Sequence, residues 1–406
     1  MRPRAGKLVE IVDELLIERQ VNRYRNPGTS YEEPTGYAVN LKNSWNKRRS
    51  PARSVLFQLK TNPCIHLERV TLPKGIHLKH ISKSRTHVLL LAEDSVYRIT
   101  TVDTLTKHCA PTRIASLQGK NVTKAEAGDG FSVFLCDNGL IMSSGDVRSD
   151  SEVNEICSMT WSHEQDPEIM DALFSVDALD VSCASNHVVV CCSAGLVYAW
   201  GLNSFGCLGL GKERVDQFVP LPVIVPFPKG TVIEKVFCGE DATMFLDHKK
   251  RLWAAGSNDH KKLGLRKLVL PSPLLVASVR DLVDSVSLSS CSTSVQLKDG
   301  RTILFGKRSR RLGSKCAKVR RGRILDLGNG IIKSQTTSRF DVSLTVENEV
   351  YFWGKRMKKR VSHRNSHLSR TPSKTFDSLR GENIAIGKLL HVSEQVREPL
   401  SLTISN

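Results

Sequence analysis

The side chains with the most chemical potential are cations, and they are concentrated. Between Arg301 and Thr375 stand twenty Lys and Arg against four acids, in a chain of 406 residues with a formal charge of +18. One cluster is Lys307-Arg308-Ser309-Arg310-Arg311, followed by Lys315, Lys318, Arg320, Arg321 and Arg323. A second is Lys355-Arg356-Met357-Lys358-Lys359-Arg360. Such clusters attract phosphate backbones or acidic protein surfaces, or act as nuclear-import signals. They also occur as merely solvated faces. No aromatic side chains are interleaved with them, which argues against base stacking. Ser50-Pro51 and Thr371-Pro372 beside basic residues have the form of proline-directed phosphorylation sites, where a phosphate would find arginines nearby.

Other chemistry is sparse. His77 and His80, and His363 and His367, are helically spaced pairs without accompanying Cys or acidic ligands, so no metal site is expected. Eleven cysteines are scattered without a Cys-x-x-Cys. Most sit in apolar runs, as do Cys136, Cys183, Cys191, Cys192 and Cys238. They read as buried, reduced thiols of a cytoplasmic or nuclear protein. Asn121-Val122-Thr123 fits a glycosylation sequon that has no meaning in such a compartment. There is no Gly-x-Ser-x-Gly, His-Glu-x-x-His or phosphate-binding loop, so no catalytic residue is assigned. No apolar run approaches the roughly 18–20 residues that span a bilayer. The charged N-terminus is not a secretion signal.

The elements that must carry these residues repeat. Val181 to Gly201, Val236 to Gly256 and Ala125 to Gly145 each contain a short apolar strand, a tight polar turn and a second strand ending in Gly. That is the signature of a β-hairpin. Weaker copies run from Ser294 to Gly306, from Asp341 to Gly354 and from His87 to Thr100, with half a copy at Ser54–Leu59. Equivalent positions fall at 59, 100, 145, 201, 256, 306 and 354. A period of about 50 with two or more strands per unit predicts a β-propeller rather than a helical solenoid. Seven positions predict seven blades over 54–404, each completing its core against its neighbours. The aromatics Trp200, Phe305 and Trp353 before the terminal Gly would fill the space between blades, and His187 would pack there too. The last strand, near Glu398–Ile404, would close the ring beside Val55–Leu59, leaving no exposed edge. Residues 1–25 carry apolar positions at Leu8, Val9, Val12, Leu15 and Leu16 after Pro3, which predicts an amphipathic helix. Residues 26–53 read as linker, and about 146–176 as an acidic insertion.

At Tyr198–Gly209 (Tyr-Ala-Trp-Gly-Leu-Asn-Ser-Phe-Gly-Cys-Leu-Gly), Cys183…His187 and Cys238-Gly239-Glu240-Asp241, the sequence resembles the regulator-of-chromosome-condensation repeat. The likeness is specific in 181–264 and degraded elsewhere; Gly is lost at Thr100 and Leu59. Leu117-Gln118-Gly119-Lys120 and the order of the repeats are similar to the propeller that follows the kinase domain in the NIMA-related protein kinases of that type. By this resemblance residues 1–25 would be the last helix of a kinase domain, with Arg2 as its ion-pairing arginine. The remaining kinase motifs are absent from the chain, so it would not phosphorylate anything by itself. ATP and magnesium would belong to the missing kinase domain, and this chain would need no cofactor. The resemblance implies a regulatory, protein-binding propeller in cell-cycle signalling, whose partner is a kinase domain or a cell-cycle protein. Two other readings are an exchange factor for a Ran-like GTPase and a chromatin or microtubule adaptor using the basic face formed by Lys307–Arg323 and Lys355–Arg360. No membrane partner is expected.

Overall fold

The computed structural model describes residues 78–100, 111–145, 166–279 and 282–307, with Leu72, Ile76 and short strands elsewhere. The fold is an all-β propeller, with no α-helix among the described residues. Five successive four- or five-stranded antiparallel sheets form its body. The first blade comprises Leu78–Lys83, His87–Ala92, Val96–Thr100 and Thr112–Arg113. The second comprises Val122–Gly128, Phe131–Cys136, Ile141–Ser144 and Glu168–Ile169. The third comprises Ala178–Cys183, His187–Cys192, Val197–Leu202 and Phe218–Ile224. The fourth comprises Ile233–Cys238, Ala242–Asp247, Leu252–Ser257 and Val269–Leu275. The fifth comprises Val283–Leu288, Ser292–Leu297, Thr302–Gly306 and a terminal hairpin.

The expectation of seven such blades is thus met by five. Two further sheets flank them. One is Ile331–Thr336, Phe340–Thr345, Val350–Gly354 and Ser373–Lys374. The other mixes Lys7–Val12, Leu15–Gln20, Val55–Lys60 and His66–Val70 with Asn383–Ile386.

The expected N-terminal helix is corrected. Lys7–Val12 and Leu15–Gln20 are antiparallel strands, paired from Lys7 opposite Gln20 to Val12 opposite Leu15. The spacing of Leu8, Val12, Leu15 and Leu16 fits a helix, but Val9, Ile11, Val12 and Ile17 are β-branched and favour a pleated strand. The expected insertion also shrinks, because Glu168–Ile169 pairs with Met142 and Ser143 as the outer strand of the second blade. The linker 26–53, the closing strand near 398–404 and Trp161 lie outside the described residues.

Each core lies between sheets, not within one. Phe131, Val133 and Leu135 of the second blade pack with Val188, Val190 and Trp200 of the third. Val189 and Cys191, on the other face of the same third-blade strand, pack with Val236 and Phe245 of the fourth. A strand sandwiched on both faces needs a continuous apolar run. His187–Cys192 is such a run and is buried throughout. Phe305 fills the corresponding gap between the fourth and fifth blades. Gly145, Gly201, Gly256 and Gly306 stand at or within one residue of the ends of the third strands, all at positive φ. The ladder slips at the second residue of the inner strand in the first, third, fourth and fifth blades, at Lys79, Leu179, Glu234 and Asp284. A bulge there bends and twists each inner strand in the same way.

Candidate interaction site

Inner strands bring charged side chains from successive blades into one ladder. Glu126 of the second blade lies 3.8 Å from His80 of the first and 3.5 Å from Lys124. Lys124 reaches Asp180 of the third blade at 2.7 Å. The other oxygen of Asp180 accepts the Val236 N–H of the fourth blade at 3.0 Å. Burial opposes the charge on Lys124, but Asp180 and Glu126 outweigh it and hold the ammonium above the ordinary lysine range. Lys124 therefore stays charged at neutral pH, and the ladder links four blades.

A second cluster forms from the turns between inner and second strands, joined by Lys262 from the loop after the third strand of the fourth blade. Arg85 donates its backbone N–H and its Nε to the buried carboxylate of Asp129, at 2.8 and 2.5 Å. Lys262, fully buried, donates to Asp241 and, at 3.0 Å, to the carbonyl of Ser290 in the fifth blade. Beside them the Glu240 carboxyl is pushed up to about 7. Burial is the largest cause, Asp241 and Asp129 add to it, and Arg85 and Lys262 partly offset it. A carboxyl so poised can gain or lose a proton near neutrality.

His187 behaves as its place in the repeat predicts. It is buried, and its Nε2 meets Thr243 Oγ1 of the next blade at 3.1 Å. His87 makes the same contact to Ser132, at 2.8 Å. Cys136, Cys183, Cys191, Cys192, Cys207 and Cys238 are buried free thiols. Burial raises Cys136, Cys191, Cys192 and Cys207, so these thiols stay protonated and unreactive. Among the described residues no group of three His, Cys, Asp or Glu is arranged to hold a metal.

The basic clusters are only partly within the described residues. Lys307 is exposed and directly follows the third strand of the fifth blade. Basic residues packed so densely favour a solvated loop there. Instead Cys316–Val319 and Gly322–Leu325 form a hairpin, and Gly322–Leu325 pairs with Thr302–Leu304. Alternating apolar positions at Ala317, Val319, Ile324 and Leu325 let the basic segment add strands to the sheet. Arg323 is half-buried, opposite Leu304 on one side and Lys318 on the other. Arg308, Arg310, Arg311, Lys315, Arg320, Arg321, Lys355, Arg356, Lys358, Lys359 and Arg360 lie outside the described residues, as do Ser50 and Thr371. The sequence did not single out Arg85, Lys124, Glu126, Asp129, Asp180, Glu240 or Lys262. Glu240 stands in the Cys238–Asp241 repeat motif, where nothing in the sequence marks a role for it, and the others stand in or between apolar strands or, for Lys262, in a loop.

Comparison with known proteins agrees with this geometry. A regulator of chromosome condensation (RCC1) repeat matches residues 194–246, which cover the second half of the third blade and the start of the fourth. The serine/threonine-protein kinase Nek9 of Xenopus laevis is 27% identical over 271 residues, covering 60% of this chain and 27% of that protein. Nek8 of Danio rerio is 28% identical over 150 residues, covering 37% of this chain and 20% of that protein. This chain therefore spans about a quarter of the length of such kinases. Among solved structures, Prp20p of Saccharomyces cerevisiae superposes with a TM-score of 0.58 at 16% identity, over 72% of this chain and 76% of that one. Human WBSCR16 does so with a TM-score of 0.58 at 15% identity, over 76% and 85%. The chain is an RCC1-like propeller that resembles the tail of NIMA-related kinases.

Proposed function

We propose that this RCC1-like propeller is a non-catalytic interaction and regulatory module that restrains or localises a NIMA-related kinase domain in cell-cycle signalling. The observation carrying this reading is the 271-residue similarity to Nek9, in a chain whose charged clusters are used to join blades. In this reading the two flanking sheets complete a seven-bladed ring. The chain works in the cytoplasm, the nucleus or both, and requires no cofactor. Lys307 to Arg323 and Lys355 to Arg360 emerge after the third strands of successive sheets and together make a positive face for an acidic protein surface or nucleic acid. Phosphorylation at Ser50 or Thr371 would place negative charge within reach of such arginines.

The kinase reading is tested by mixing the purified chain with a separately expressed NIMA-related kinase domain. The expected result is a saturable complex and a changed rate of substrate phosphorylation. Neither binding nor a rate change would reject it. A second reading follows from the likeness to Prp20p, a protein reported with binding properties toward Gsp1p and histones. If the chain accelerates nucleotide release from a Ran-like GTPase, exchange activity replaces the kinase reading. Charge reversal at Arg320, Arg321, Lys358 and Lys359 should abolish partner binding if the basic face is used; unchanged binding would remove that face from the proposal.

A further inference from the structure

Two loops on one rim of the propeller hold bulky residues in an unfavourable backbone conformation. They join the third and fourth strands of the third and fourth blades. In the first, Phe205 has φ +54°; in the second, at the equivalent place, His260 has φ +55°. A non-glycine side chain at such angles is strained and persists only where its surroundings dictate it. Here they do. Asp216 Oδ1 accepts the Phe205 N–H at 2.7 Å. The fully buried Asn203 donates to the carbonyl of Arg214 and accepts the N–H of Leu208, at 2.6 and 2.8 Å. Asn258 staples the second loop in the same way, to Leu265, Lys267 and Leu263.

The staples hold an apolar surface open to solvent. Phe205 is 48% exposed and Leu268 58%, and Phe218 and Val269 are exposed as well. Phe218 pairs with Leu202 at the base of the first loop. The first loop also packs onto the outer strand of the fourth blade, where Gly211 donates to the Pro271 carbonyl at 2.8 Å, two residues beyond Val269. These four apolar side chains therefore share one ledge across the junction of two blades. Lys212, Arg214, Arg266 and Lys267 surround it, all exposed, with Lys261 half-buried between them. The acids nearby are Glu213, Asp216 and Asp259, and Asp216 is already engaged by Phe205.

We propose that this ledge docks an acidic peptide segment of a protein partner, one that carries aliphatic or aromatic side chains between its carboxylates. The cations select the acidic backbone of the segment, and Phe205, Leu268 and Val269 receive its apolar residues. A rigid surface loses little entropy on binding, which favours a linear ligand. Nucleic acid fits less well, because Leu268 and Val269 offer no stacking face and Glu213 and Asp259 repel phosphates. The inference rests on the interaction-module reading and names where on the ring a partner would bind.

The test uses the full chain and a short fluorescein-labelled peptide alternating Glu with Leu and Phe, its counterpart with Lys for Glu, and a single-stranded oligonucleotide. The acidic peptide should bind saturably and its lysine counterpart should not. Phe205→Gly should weaken binding at least tenfold while its thermal midpoint stays at or above that of the parent, since glycine relieves the backbone. Lys212→Glu with Arg214→Glu should weaken it to a similar extent. Saturable binding that Phe205→Gly leaves unchanged, no binding of the acidic peptide, or binding of the oligonucleotide alone would each overturn the proposal. If the peptide fails while a kinase domain still binds, the ledge is wrong and the regulatory reading stands.

Discussion

Glu240 sits among four other charged side chains, Asp241 from its own turn and Arg85, Asp129 and Lys262 from three other segments, and burial above all pushes its carboxyl up to about 7 from the ordinary 4.5. The native state therefore binds a proton that the unfolded chain releases between those values. Stability must fall as pH rises through that window, because the folded form increasingly holds a poorly solvated charge. Glu240→Gln removes the titration. The parent should lose about 1–2 kcal/mol relative to the glutamine variant between pH 5 and pH 8, the figure reduced for the partial exposure of the group. Urea unfolding of both proteins across that range measures the difference; parallel curves would show that the proton is not retained in the fold. Glu240 was within a repeat motif visible in the sequence, yet its role was not. Part of what perturbs it comes from Arg85 and Asp129, more than 100 residues away in the first and second blades, a proximity that no local pattern announces.

Strand order and the position of each turn were legible because local patterns determine them. Gly145, Gly201, Gly256 and Gly306 mark the ends of third strands in the sequence, and all have positive φ. Gly256 shows why the residue recurs. Its φ is +100°, and an added Cβ would lie 2.5 Å from the Asp241 carbonyl oxygen and 2.7 Å from Ala242 Cα. Both are backbone atoms, so neither can rotate aside. Gly256→Ala should cost at least about 3 kcal/mol. Gly230→Ala, also at positive φ but with open space around it, should cost only about 1 kcal/mol. Chemical denaturation midpoints of the two variants decide this, and equal losses would mean that backbone angle alone, not the close approach, selects glycine. Less legible was a longer period. Ser82, Ser182 and Ser287, themselves about 100 residues apart, accept the N–H of Ala127, Cys238 and Thr336 in the following sheet. A two-blade period of this kind hides in a sequence because the alternate blades carry Glu126 and Phe237 at the same place. The N-terminal segment failed for the opposite reason: its local pattern fits helix and hairpin alike, and pairing with Val55–Lys60 and Asn383–Ile386 decides in favour of strands.

At the scale of the molecule, the terminal sheet touches the first blade on one side and the other flanking sheet on the other. Lys7–Val12 pairs in parallel with Asn383–Ile386, through Leu8 opposite Asn383 to Ile11 opposite Ile386. Asn383–Ile386 lies against Ile331–Thr336 and Phe340–Thr345, and Lys7–Val12 against Leu78–Lys83. N- and C-terminal segments thus meet in one sheet, which includes the expected Val55–Lys60; its expected partner near 398–404 lies outside the described residues. An open ring would leave the first and sixth sheets each with an uncovered apolar face, as every core here is shared between neighbours. Stopping the chain after Glu382 removes the strand that bridges the two ends. Calorimetry should then show a transition lowered by roughly 5–8 °C, on the basis of about 2 °C per kcal/mol for a chain of this size. Limited proteolysis should cut first around Ile331–Thr345 and Leu78–Lys83, the faces that lose their cover. The central blades, sealed on both sides, should resist longer. A truncated chain that melts at the parent temperature in a single transition would mean that the five-blade body is stable without closure, and that the terminal sheet adds nothing to its cooperativity.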